Sequence, residues 1–139
     1  RRTTGFKEPE LASVLTGEEI ADCQELLTQV PVADPLAGYA ASLVLATHPD
    51  GESSPDAVKR FVSYGASPRG LQTLIRGARA YCALSGRTAV AVEDIRRALK
   101  PALRHRVVLN FEGEAEALNM DALLDEIAEA IPTPAGPAA

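Results

Sequence analysis

The chain has 139 residues, 46% of them hydrophobic and only 4% aromatic, which suits one domain with a core of Leu, Val, Ile and Ala. Its net charge of -5 argues against a nucleic-acid surface, which wants a basic face. No stretch approaches the roughly 18 apolar residues of a membrane span, and no signal peptide is legible, so a cytoplasmic location is the default expectation.

Residues 1–15 show no clean period and contain Gly5 and Pro9, so an extended lead-in is expected there. "TGEEIADCQELLTQV" then opens on a capping box, Thr16 with Glu19, and carries Ile20, Cys23, Leu27 and Val30 at helical spacing. Pro31 should close this helix. A second helix should start at Asp34-Pro35, with Asp34 as cap, and turn Leu36, Tyr39, Ala40, Leu43 and Thr47 inward before "HPDG" ends it. "SSPDAVKRFV" repeats a Ser-Pro opening for a short third helix with Val58, Phe61 and Val62 apolar. After Gly65 a fourth and longest helix runs from Pro68 to about Leu84, with Gly86 beyond its end. "TAVAVEDIRRALKPALRHR" reads as a lead-in and a helix from about Val92, which Pro101 kinks or restarts. "VVLN" suits a short β-bridge, and "NMDALLDEIAEAI" a final helix capped by Asn119, with Met120, Leu123, Leu124, Ile127 and Ile131 inward. These six helical pieces with hardly any strand predict an all-α bundle over residues 16–131, followed by a disordered tail at 132–139. The start at Arg1 and the ending PTPAGPAA read as a piece of a longer protein or as a processed chain.

Cys23 and Cys82 fall at apolar helical positions and are expected to be buried free thiols, not a disulfide or metal site. His48 precedes Pro49 in a turn and reads as structural. "ALLDEI" imitates the end of a Walker B strand, but its apolar neighbours keep helical spacing, which makes Asp125 and Glu126 a solvated face. No GxxxxGK[ST] occurs, so nothing here cradles a β-phosphate as a P-loop does.

The fourth helix holds the sharpest signal. Leu71, Leu74, Ile75, Ala78 and Cys82 form its inner stripe, and Arg69 and Arg76 lie nearly opposite. Arg69 follows Ser67, a good N-cap, and Pro68, which suits the first helical position. A cation there is mildly disfavoured by the helix macrodipole. A stiffly presented arginine suits an anionic ligand held elsewhere, although on periodicity alone a solvated helix face, as for most exposed arginines, is the stronger reading.

"YGASPRGLQTLIRGARAYCALSGRTAVAVEDI" followed by "LRHRVVLNFEGEAE" resembles the C-terminal lid of MoxR-type AAA+ ATPases, and "RRTTG" and "VPVADPLAGYAASLVLATHPD" extend the resemblance over about residues 1–131. In that family a GASPR element carries the sensor-2 arginine. Two departures are visible: Gly70 stands where a better helix former would be expected, and Ala91 where Thr or Ser is common before the EDI helix. The resemblance implies that residues 1–15 lead in from an absent α/β core that holds ATP and Mg2+. Arg69, supported by Ser67 and Pro68, would reach the γ-phosphate as the lid closes. The piece alone would be inert and its parent an ATPase. Such ATPases form rings, commonly hexamers, and act as chaperone-like factors, often with von Willebrand factor A domain proteins.

Arg96, Arg97, Arg104, His105 and Arg106 form one basic cluster. It reads either as helix-end compensation and ion pairing or, through the LRHR resemblance, as a contact of Arg104, His105 and Arg106 with the core or a neighbouring subunit. Two other readings remain open at this stage. A free-standing adaptor would show an apolar groove, and a helix-turn-helix DNA binder would show salt-dependent affinity at the basic cluster.

Overall fold

A computed structural model describes residues 12–134. It contains α1 (Gly17–Thr28), α2 (Asp34–Leu45), α3 (Asp56–Phe61), β1 (Val62–Tyr64), α4 (Pro68–Leu84), α5 (Val92–Leu103), β2 (Val108–Leu109), α6 (Phe111–Ala115) and α7 (Met120–Ala130). Of the described residues 61% are helical, and they hold one two-stranded antiparallel ribbon, as an all-α reading requires. Seven helices stand among the described residues where six were expected. The extra one, α6, is five residues long, and Asn110 caps it by accepting from the Gly113 N–H at 2.9 Å. The expected lead-in and tail lie mostly outside the described residues, and 12–15 and 132–134 have no regular structure.

The centre of the molecule is the α4–α5 pair. Small residues bring the two helices together, since a Cβ on Gly77 would lie only 3.1 Å from the Ala98 Cβ. Around that seam Leu74, Ala78 and Cys82 of α4 meet Ile95, Leu99 and Leu103 of α5, all of them buried. Leu43 of α2 and Leu124 and Ile127 of α7 complete the same cluster. Each of the leucine and isoleucine side chains removed from water contributes about 1.5–3 kcal/mol. The predicted inner stripes of α2, α4 and α7 are therefore the faces that bury, with Leu36, Leu71, Ile75 and Met120 at their half-buried margins.

Helix starts depart from expectation in instructive ways. Thr16 and Glu19 do form the capping box: the Thr16 N–H donates to Glu19 Oε2 at 2.7 Å and the Glu19 N–H to Thr16 Oγ1 at 3.2 Å. The bonds that the Thr16 N–H and hydroxyl donate to the Glu19 carboxyl hold it below its ordinary value. Asn119 caps α7 as read, accepting from the N–H groups of Asp121 and Ala122. Asp34, however, is the first residue of α2 and not its cap; Ala33 takes that place, and its carbonyl accepts from Leu36 and Ala37. Asp34 there adds a negative charge to the first turn, which the helix dipole favours.

The first helix also differs. It ends at Thr28, before Pro31, and none of its residues is buried. Ile20 is 47% exposed, and Cys23 is exposed, not buried as its spacing suggested. Periodicity shows that α1 has an apolar face, but only its C-terminal end is covered: Leu27 is half-buried and Val30, just beyond the helix, packs against the core. Cys82, fully buried, is the free thiol expected of it.

The ribbon pairs Val62 with Leu109 and Tyr64 with Val108, with an irregularity between them. Thus "VVLN" does form a strand, and its partner is the segment that leads directly into α4. Asn110 closes the ribbon: its N–H donates to the Phe61 carbonyl at 2.8 Å and its side chain to the Arg60 carbonyl at 2.6 Å.

Candidate functional site

Arg69 sits at the second position of α4 and is exposed. No carboxylate pairs with it among the described residues, whereas Arg60, Arg87, Lys100 and Arg104 each hold one. Pro68 occupies the first helical position as read. Ser67 is the N-cap residue, but its hydroxyl accepts nothing from the first turn. The Gly70 N–H that a hydroxyl would take donates instead to the Ser67 carbonyl at 2.7 Å, so the cap is made by backbone.

Gly70 looked like a weak choice for a helix start, and packing explains it. The residue is buried, and a Cβ there would stand 3.1 Å from the Ala66 Cβ and 3.2 Å from Leu103 Cδ2. Glycine lets the first turn of α4 lie against the end of α5 while Arg69 points away from that contact.

The backbone just before the helix is held at both polar groups of one residue. The Ala66 N–H donates to Thr47 Oγ1 at 2.8 Å, and the Ala66 carbonyl lies 3.0 Å from His48 Nε2. Thr47 is fully buried and its hydroxyl donates onward to the Val44 carbonyl at 2.6 Å. Gly65 passes so close to this turn that a Cβ would come within 2.6 Å of the His48 ring and 2.8 Å of the Thr47 carbonyl. The His48 ring is thus held inside the fold, in keeping with its place in a turn, while helical spacing marks Thr47 only as an inner position.

The other end of α4 is anchored by an ion pair that sequence spacing did not suggest. Past Gly86, which takes a left-handed φ of 69° to turn the chain, Arg87 places two nitrogens on the two carboxylate oxygens of Asp94. Asp94 also accepts from the Ala91 N–H at 2.9 Å, the half of a capping box that needs no acceptor on the Ala91 side chain, while the Asp94 N–H donates to the Ala91 carbonyl. Burial alone would push the Asp94 carboxyl up, but the Arg87 and Ala91 hydrogen bonds and the charges of Arg87 and Arg97 outweigh it and hold it low.

The basic cluster is largely occupied within the chain. Arg104 reaches Asp121 at 2.9 Å, and Lys100 reaches Asp125 at 2.7 Å, which places that Walker B look-alike on a solvated helix face. Arg106 bonds the Ala102 carbonyl and the Thr73 hydroxyl, and Arg96 bonds the Tyr39 hydroxyl and the Ala128 carbonyl. Arg97 lies over the Tyr81 ring. His105 alone of the LRHR group is exposed with no side-chain bond among the described residues. Among those residues no group of three or more His, Cys, Asp or Glu side chains gathers as metal ligands, and no helix is long and apolar enough to cross a membrane.

The profile of the AAA lid domain family matches residues 55–127, more than half of the chain. The chain belongs to that family. The lid is similar to proteins of the MoxR type. It is 26% identical over 130 residues to the chaperone MoxR1 of Mycobacterium tuberculosis, covering 94% of this chain and 34% of that one. Against the protein MoxR of Paracoccus denitrificans it is 45% identical over 78 residues, covering 55% of this chain and 23% of that one. Its fold is similar to the crystal structure of a candidate ATPase from Cytophaga hutchinsonii, with a TM-score of 0.79 and 28% identity, covering 85% of this chain and 36% of that one. The lid thus spans about a third or less of these relatives.

Proposed function

We propose that this lid closes over ATP held by an α/β core elsewhere in the full-length protein, and that Arg69 meets the γ-phosphate and couples hydrolysis to lid motion. The observation that carries this reading is Arg69 itself, exposed, free of any carboxylate among the described residues, and set between Pro68 and the buried Gly70. The planar guanidinium stays charged throughout and offers a two-toothed donor to phosphate oxygens, so it stabilises negative charge with no proton transfer. The lid has no GxxxxGK[ST] loop, so Arg69 is its own phosphate contact, while Mg2+ and the remaining phosphates belong to the core. In a ring of such ATPases, commonly a hexamer, His105 and the neighbouring Arg104 and Arg106 suit contact with the core or the next subunit. The assembly would remodel or mature partner proteins in a chaperone-like way, including partners with von Willebrand factor A domains.

The test is a pair of measurements on Arg69→Ala. A charged hydrogen bond is worth roughly 1.5–3 kcal/mol, so ATP turnover by the full-length protein should fall about tenfold to 150-fold. Thermal stability of the lid should change by no more than about 0.5 kcal/mol, as at other exposed positions. Arg69→Lys should restore only part of the turnover, because lysine keeps the charge and loses the fork. Undiminished hydrolysis by Arg69→Ala ends the sensor reading.

A further inference from the structure

We infer that Thr47 and His48, in the turn after α2, are positioning residues for Arg69, acting through a two-point hold on the backbone of Ala66. This rests on the reading of Arg69 as the phosphate contact. The geometry is specific. Ala66 lies three residues before Arg69 and is fully buried; Thr47 takes its N–H at 2.8 Å and His48 takes its carbonyl at 3.0 Å. Because a carbonyl only accepts, the His48 ring must carry its proton on Nε2. The hold is itself anchored on both sides. The Thr47 hydroxyl donates to the Val44 carbonyl at 2.6 Å inside α2, and the buried Ser54 hydroxyl donates to the His48 carbonyl at 2.6 Å. Gly65 permits the approach, since no side chain would fit between its backbone and the His48 ring.

The consequence is that Arg69 is not positioned by its own helix alone. Pro68 restricts one dihedral and Ser67 contributes only its carbonyl, and the buried Gly70 sets the first turn against α5 alone, so none of them fixes the start of α4 relative to α2. The hold at Ala66 ties that start to α2 and to the turn before α3. A shift of the turn after α2 is therefore passed through two hydrogen bonds to the residue three before Arg69. A displacement of about 1 Å at a group that must meet a reacting phosphate can cost on the order of 100-fold in rate.

The experiment uses the full-length ATPase that carries this lid, with Thr47→Val, Thr47→Ser and Arg69→Ala, and Thr47→Val combined with Arg69→Ala. Thr47→Val keeps the shape but removes both hydroxyl bonds, and should lower kcat for ATP roughly 10- to 100-fold. Thr47→Ser keeps the hydroxyl and should restore most of it. A residue acting through Arg69 has nothing left to position once Arg69 is gone, so Thr47→Val should cost no more than about twofold in the Arg69→Ala background. Hydrogen exchange of the Ala66 amide should quicken in Thr47→Val and not in Arg69→Ala. If Thr47→Val does not fold, His48→Ala, which removes the contact to the Ala66 carbonyl together with the ring packed on Gly65, enters the same cycle. An equal loss in both backgrounds would mark Thr47 as merely structural, and no loss in the wild-type background would overturn the inference while leaving Arg69 as the sensor. Should Arg69→Ala itself leave turnover intact, the sensor reading falls and this inference with it.

Discussion

Replacing Gly70 by alanine sets two effects of similar size against each other. In a helix interior the change gains about 1 kcal/mol, because alanine loses less backbone freedom on folding. Here the new methyl would stand 3.1 Å from the Ala66 Cβ and 3.2 Å from Leu103 Cδ2, well inside the ~3.5–4.0 Å at which carbon atoms rest. Neither neighbour has room to yield. Leu103 is fully buried, and Ala66 is buried with its N–H and carbonyl both held. Overpacking a site of this kind typically costs about 1–3 kcal/mol, so the clash wins and Gly70→Ala should destabilise the chain by about 1 kcal/mol. Gly38 is the matched control, since a Cβ there meets nothing within 4 Å in the middle of α2. Gly38→Ala should therefore stabilise by about 0.5–1 kcal/mol. Urea melts of the 139-residue chain at constant slope would measure both. A Gly70→Ala midpoint that rises like that of Gly38→Ala would refute the close packing of the α4 start on the end of α5.

Leu74 is fully buried at the α4–α5 seam, so Leu74→Ala should cost on the order of 2–5 kcal/mol in denaturant melts; a loss well below 1 kcal/mol would mean that the inner face is wrongly drawn. Asp94 has a folded-state value below its ordinary 3.8, so the stability that it lends is complete above that range and drains away as the pH falls beneath it. Asp94→Asn should remove this part of the acid sensitivity, and melts from pH 7 to pH 3 with an unchanged slope in the variant would count against the Arg87 pairing. Of the two thiols only Cys23 should react promptly with an aromatic disulfide reagent in the folded chain, with Cys82 joining on unfolding; prompt reaction of both would contradict the buried position of Cys82.

Much of the bundle was legible because its signals are local. Pro68 and Gly86 bracket α4, Thr16 with Glu19 and Asn119 start their helices, and the apolar stripes of α2, α4 and α7 pick out the buried faces. The α6 turn escaped because it is too short for a period and leaves Phe111 90% exposed; Asn110 before Gly113 was the one local sign of it. In α1 the helical spacing is right, but Cys23 on it is exposed and not buried, since spacing cannot say whether a partner surface exists at that position. Arg69 could be singled out by its place opposite Leu74 and after Pro68. The atoms that hold it could not, because Thr47 and Ala66 are 19 residues apart and meet only through the packing of α2 on α4. The same holds for Arg104 with Asp121 and Lys100 with Asp125, whose pairing depends on where α7 docks.

The dominance of the α4–α5 seam has a kinetic side. These two helices are joined by a short turn pinned through Arg87 and Asp94, so bringing their faces together closes little chain and costs little entropy. The ribbon, by contrast, joins Val62 to Leu109 across everything between them, and such a distant pairing forms slowly. A chain leaving the ribosome makes α2 before α4 and α5, yet Tyr39, Leu43 and Val44 have no complete surface to bury against until α5 has been synthesised. The α4–α5 hairpin should then form before the rest, with α2 and α7 docking on it and the ribbon closing last. The arginine helix would be among the first elements built, and its placement at the ribbon end among the last things settled.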